Sequence, residues 1–240
     1  MENFDNTLQL NFHRTFIEGD RYKLFINGLG TTINISIFAI LLGIVIGVII
    51  ALIRLSRGTK LKNPVGEIFL FIWRFIADAY IDVIRGTPAV VQLMIMYYVV
   101  LVRIDSKVLI AIIAFGINSG AYIAEIFRAG ILAVDKGQME ASRSLGMTYF
   151  QSMRKIVIPQ AIKNILPALA NEFIVLIKET AIVGYIALQD LTKVSDFIIS
   201  RTASAIFPLI SVAVIYFVII KILTIFVGIL ERRLRQSDTR

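Results

Sequence analysis

Long apolar runs separated by short, charge-rich intervals make up most of this chain. The first run, Ile33 to Ile53, has 21 residues without a charge. At ~1.5 Å of rise per helical residue it is long enough to cross a hydrocarbon layer ~30 Å thick. Ala39, Gly43, Gly47 and Ala51 recur every fourth residue within it, a stripe of small side chains that lets a second helix approach closely. The pattern predicts an all-α polytopic membrane protein with about five crossings, over roughly 24–54, 88–102, 108–132, 165–189 and 203–230. Between the first two runs, residues 65–84 carry Trp73, Arg74, Asp78 and Asp82 at near-helical spacing. These charges predict a helix lying in the membrane interface. Arg85-Gly86-Thr87-Pro88 then breaks that helix, and Pro88 suits the first position of a new one.

Charge fixes the expected orientation. Arg54, Arg57, Lys60 and Lys62 follow the first run. Lys136, Arg143, Arg154, Lys155 and Lys163 lie within 133–163, and the tail after Leu230 is again basic. Cytoplasmic loops are enriched in Lys and Arg, so these three regions are expected inside, residue 1 outside and the C-terminus inside. Five crossings agree with that parity. Asp190 to Arg201 is expected to be an external loop. Pro64, Pro159, Pro167 and Pro208 are expected near ends or bends, and Pro159 is expected to break the element that precedes membrane re-entry.

Composition supports lipid as the main solvent. Hydrophobic residues make up 57% of the 240, and charged residues 18%. Mean hydropathy is +0.78. A soluble domain of this size cannot cover so much apolar surface. The net charge of +8 is then read as topology and attraction to anionic headgroups, and no nucleic-acid partner is expected. With no cysteine and one histidine, His13, in the polar N-terminal segment, neither a thiol nucleophile nor a metal site is expected. No Gly-rich phosphate loop of the GxxxxGK[S/T] type occurs, so no nucleotide chemistry is expected of this chain itself.

The interval 133–163 holds Glu140-Ala141-Ser142-Arg143-Ser144-Leu145-Gly146, nine further residues, and then Ile156-Val157-Ile158-Pro159. Met139 to Ser144 is a good short helix, and Gly146 suits a left-handed stop. A short rigid helix in such a loop can dock in a groove of a soluble partner and transmit displacement. The spacing resembles the EAA loop of type I ATP-binding cassette importer permeases, with Ser142 and Ile158 replacing the usual alanine and leucine. Gly28 and Thr32 resemble the start of that family's fold. Arg85-Gly86-Thr87-Pro88 with Gln92 and Tyr97-Tyr98, Asn118 to Glu125 with Arg128-Ala129-Gly130, and Lys178-Glu179-Thr180 resemble its polar amino acid subfamily.

The resemblance implies the type I permease fold in a bacterial inner membrane. It also implies a second permease copy, identical or related, and a pair of ATPase subunits that bind ATP and Mg. An extracytoplasmic amino-acid-binding protein would deliver the cargo. Coupling to the ATPase would fall to Glu140, Ala141, Ser142, Leu145, Gly146 and Pro159. This chain would hydrolyse nothing and hold no cofactor.

A zwitterionic cargo needs a donor for its carboxylate and an acceptor for its ammonium. The polar groups expected at membrane depth are Gln92, Asn118, Tyr122, Glu125, Asn171, Glu172, Lys178 and Glu179. Such groups are candidates for a transport pathway. Asn118, Tyr122 and Glu125 share one helical face. They could equally stitch helices together, and Glu125 could pair locally with Arg128. Two other readings are an ion-coupled carrier or channel, which would call for matching broken helices in two halves, and a membrane enzyme, which would need converging catalytic groups. A membrane anchor is a third, and the specific loop motif argues against it.

Overall fold

A computed structural model describes residues 9–56 and 64–236. Arg57, Lys60 and Lys62, and the chain after residue 236, lie outside the described residues. Among the described residues the structure is helical, with no strand. A short π turn, His13–Ile17, and a 3₁₀ turn, Glu18–Asp20, precede the first long helix.

Helix α1 spans Tyr22–Leu55, 34 residues, or ~51 Å of rise. Helix α2 spans Pro64–Gly86, and α3 spans Ala89–Val100 with its last turn in π geometry. Next come α4, Lys107–Leu132, and α5, Lys136–Ser144. The short α6, Tyr149–Ser152, runs through a π turn, Met153–Val157, into α7, Ile158–Glu179. A 3₁₀ segment, Thr180–Ile186, leads to α8, Leu191–Thr202, and α9, Ile206–Gln236, ends the described chain.

The core is the α1–α4 pair. Ala39, Gly43, Gly47 and Ala51 are all buried, and α4 answers with its own glycines. A β-carbon on Gly47 would stand 2.6 Å from Ile123 Cγ2, and one on Gly116 would stand 2.6 Å from Leu42 Cδ2. A β-carbon on Gly120 would meet Ile46 and the Tyr80 hydroxyl, each at 2.8 Å. Glycine on both faces therefore allows backbone-close contact. At the other end of α1, a β-carbon on Gly28 would stand 2.9 Å from the Asp190 carbonyl, and Thr32 Oγ1 accepts from the Leu191 N–H at 3.4 Å. The two small positions at the start of the first crossing are thus where α8 seats.

Three sequence expectations change. The first concerns the second crossing. Ala89–Val100 has a rise of only ~18 Å, too short for the 88–102 crossing. It meets α2 at a bend of 110°. The 23 residues of α2 rise ~34 Å, so the expected interfacial helix 65–84 has the length of the crossing. Two of its charges, Arg74 and Asp78, turn onto α1, while Asp82 and Arg85 near its C-terminal end are exposed. Arg74 donates to Ser56 Oγ at 3.1 Å, Asp78 accepts from Arg54 Nε at 2.8 Å, and Val65, Phe71 and Phe75 are exposed instead.

The second concerns Pro159. The π turn and α7 run on through it, because it falls at the helix start where its missing N–H costs no bond. The crossing expected over 165–189 is therefore the α7 helix, Ile158–Glu179, and Pro167 lies inside it. The interval 133–163 shortens accordingly.

The third concerns the expected loop Asp190–Arg201, which is helix α8. Leu191, Val194 and Ile198 recur at helical spacing and are fully buried. Asp190 caps the helix, accepting from the N–H groups of Lys193 at 2.8 Å and Thr192 at 3.0 Å. Burial pushes its carboxyl above the usual range, against the pull of these donors.

Candidate functional site

Two regions merit a site's scrutiny: the elbow between α4 and α7, and the polar groups along α4 and α7. The elbow is stiff for local reasons. Asp135 caps α5 by accepting from the Gly137 N–H at 2.6 Å. At the far end Gly146 adopts φ +85°. Its N–H donates to the Arg143 carbonyl at 3.1 Å, and the Met147 N–H donates to the Ser142 carbonyl at 3.2 Å. That pair is a Schellman stop, which favours glycine at this position. Two residues later Thr148 and Gln151 form a reciprocal capping box at 2.8 and 3.3 Å.

Met139 and Met153 pack on a buried cluster of Val134, Val157, Ala161 and Ile165, which ties the elbow to the roots of α4 and α7. Ser142 is buried, its hydroxyl donating to the Met139 carbonyl at 2.9 Å. Glu140 and Ala141 are exposed.

The elbow's tip is apolar and uncovered. Leu145 is 85% exposed, Phe150 71% and Tyr149 61%. Three large apolar side chains on one rigid corner are costly in water and typical of a docking surface. The sequence reading named Leu145 and missed Tyr149 and Phe150. Their signal was an aromatic pair directly after a capping threonine. Pro159 is exposed on α7 and stands apart from this tip in the chain.

Along α4 the expected pathway face is engaged by neighbouring helices. Asn118 Nδ2 donates to Gln92 Oε1 at 3.0 Å. Gln92 Nε2 in turn donates to the carbonyls of Ile84 at 2.7 Å and Thr87 at 3.1 Å and to Thr87 Oγ1 at 2.8 Å. Gln92 therefore pins the 110° bend that Arg85-Gly86-Thr87-Pro88 opens, with Pro88 in extended geometry just before the helix rather than at its first position. The Tyr122 ring lies 5.4 Å from the Arg85 guanidinium, a cation–π contact. Glu125 bonds Arg54 of α1 and accepts from Arg128 Nε at 2.9 Å and Nη2 at 2.8 Å. Arg54 also reaches Asp78 of α2, so one ionic cluster joins α1, α2 and α4.

On α7, Asn171 is exposed and bonds the Pro167 carbonyl of its own helix at 3.1 Å. Glu172 is half-buried, and Ser119 Oγ on α4 is buried with no hydrogen-bond partner among the described residues. Lys178 is exposed and Glu179 half-buried. Asn118 Oδ1 is buried with no partner among the described residues. The structure thus brings Gln92 and Asn118 together and sets Glu125 apart with its two arginines. No group of His, Asp and Glu residues among those described could hold a metal ion.

This arrangement gives a first prediction. Glu125→Gln leaves two guanidiniums around a neutral amide. For a partly buried cluster the expected loss is about 1–3 kcal/mol of stability, read as a lower thermal unfolding midpoint in detergent, with cargo affinity unchanged. An unchanged midpoint with altered affinity would return Glu125 to the pathway.

Comparison with known proteins agrees with this geometry. The family described as binding-protein-dependent transport system inner membrane component matches residues 43–236. The arginine transport system permease protein ArtQ of Bacillus subtilis is 39% identical over 235 residues, covering 96% of this chain and 100% of the relative. A chain from the crystal structure of an amino acid ABC transporter with histidines superposes with a TM-score of 0.80 at 44% identity, covering 88% of this chain and 94% of that one. A chain of the inward-facing MetNI methionine ABC transporter shares the fold, with a TM-score of 0.74 at 19% identity, over 90% of this chain and 98% of that one. These relatives favour a permease of the ATP-binding cassette class over an ion-coupled carrier.

Proposed function

This chain belongs to the family of binding-protein-dependent transport system inner membrane components, and from that premise we propose that it carries polar amino acids inward, driven by a separate ATPase. The observation that supports this most is the elbow. Helix α5, locked at both ends, and α6 after it present Glu140, Ala141, Leu145, Tyr149 and Phe150 to a partner. Through Met139 and Met153 it is wedged between two membrane helices, so a push on the tip moves α4 and α7 together.

On this reading α1, α2, α4, α7 and α9 are the five crossings, with residue 1 outside and the elbow and C-terminus in the cytoplasm. ATP and Mg belong to a pair of ATPase subunits, and no hydrolysis occurs on this chain. A second permease copy completes the pathway, and an external amino-acid-binding protein loads it. ATP and the loaded binding protein favour the outward-open form because each binds that form more tightly.

Glu172 and the free carbonyl of Asn118 are the groups best suited to accept from the ammonium of a passing amino acid, and Lys178 is the candidate donor to its carboxylate. Asn171 and Glu179 flank them. Gln92, Tyr122 and Glu125 hold the helices that shape the path.

The test is co-purification with the ATPase and reconstitution with the binding protein. The expected result is ATP hydrolysis and uptake stimulated by polar amino acids such as glutamine or arginine, and not by leucine. Glu172→Gln should lower uptake about tenfold or more with ATPase association intact. Uptake at full rate without the ATPase would overturn the ATP-driven reading. Stimulation by leucine alone would overturn only the cargo class.

A further inference from the structure

A wholly apolar groove of about 180 Å³ lies where α1, α4 and α7 meet, beside the elbow's roots. Leu52 and Leu55, Phe127 and Ile131, and Ile158 and Ile162 form its walls. Leu52 is 62% exposed, Ile162 43% and Ile158 40%, so the groove opens on the outside of the bundle rather than into its core. In the membrane orientation given above, this level faces acyl chains.

Basic residues adjoin the groove's lining along the chain. Arg54 precedes Leu55 and Arg128 follows Phe127; Arg154 and Lys155 lie one turn before Ile158, and Lys163 follows Ile162. Glu125 and Asp78 are bonded to Arg54 or Arg128. Arg154 and Lys155 are exposed and make no ion pair among the described residues.

We propose that this groove is a binding site for one phospholipid with an anionic headgroup. The tail would lie between Leu52 and Ile162, and the phosphate would be held by Arg154 and Lys155. Apolar walls alone would take any lipid. The uncompensated cations select for charge, because each basic side chain near the headgroup plane favours an anionic lipid. The site rests on the membrane orientation given above, but not on the cargo or on ATP.

Native mass spectrometry of the purified permease complex, titrated with phosphatidylglycerol or phosphatidylcholine in mixed micelles, tests it. The expected result is about tenfold tighter retention of phosphatidylglycerol. Arg154→Ala with Lys155→Ala, a surface change that leaves the fold intact, should reduce phosphatidylglycerol to the phosphatidylcholine level. Ile162→Trp, which fills the groove, should weaken both lipids. Equal retention of the two lipids by the wild type would overturn the proposal. So would an Ile162→Trp variant that holds phosphatidylglycerol as before. If that variant instead separates two permease copies with lipid retention unchanged, the groove is a protein interface and the lipid site is refuted.

Discussion

Replacing Leu145 and Phe150 together with aspartate is expected to weaken ATPase association at least about 30-fold while leaving the permease folded. Both side chains lie on the elbow's tip and are largely exposed, so the free permease loses no packing, and such surface changes usually stay within ~0.5 kcal/mol. Large apolar side chains at the centre of an interface behave differently. They often contribute about 2 kcal/mol or more, and at ~1.4 kcal/mol per tenfold that gives the factor expected. Aspartate adds the desolvation of a charge. A pull-down of tagged ATPase, read beside the unfolding midpoint of the variant, separates the two effects. Normal association would remove the tip from the coupling surface. A collapsed midpoint would show that the tip is covered in the native permease.

Gly47→Val is expected to be severely damaging to the membrane core. Its β-carbon alone would stand 2.6 Å from Ile123 Cγ2, 2.8 Å from Ile123 Cβ and 3.0 Å from the backbone nitrogen of Ala124. A side-chain tip can rotate away, but a facing backbone cannot. Helices α1 and α4 would have to part along the contact that Gly43, Gly116 and Gly120 also share. Overpacking of this kind costs ~1–3 kcal/mol or more, here at the largest interface of the fold. Gly30 on the same helix supplies the control, because a β-carbon there meets nothing within 4 Å. Gly30→Ala should match or exceed the wild type, since alanine is favoured over glycine within a helix by up to ~1 kcal/mol. Folded yield after size-exclusion chromatography checks both. Wild-type yield for Gly47→Val would show that the helices do not meet there.

What was legible in the sequence depended on the range of the interaction. The small-residue stripe of α1 and the Gly146 stop are local signals, and both elements appear where expected. The bend at Thr87-Pro88 is also local and was legible as a break. The lengths of its two arms are not legible in the same way, because Arg74 and Asp78 read as incompatible with lipid. Their partners, Ser56 and Arg54, come from another helix, and no periodicity within 65–84 reveals them. Glu125 shows the same limit, since Arg54 lies 71 residues away in sequence. Helix α8 was different, because its signal was present and unread. Asp190 is a good cap, and Leu191, Val194 and Ile198 form a helical stripe. The polar residues between them hid it. Tyr149 and Phe150 could be recognised as docking groups only once their exposure was known.

The chain's lack of cysteine allows a clean measurement of the coupling claim. Ser144→Cys would place the only thiol of the 240 residues on the exposed face of the elbow. Membrane vesicles of both orientations would be treated with an impermeant maleimide, with and without bound ATPase. The account predicts labelling from the cytoplasmic side alone and protection when the ATPase is bound. Labelling from the external side, or undiminished labelling beneath a bound ATPase, would contradict it.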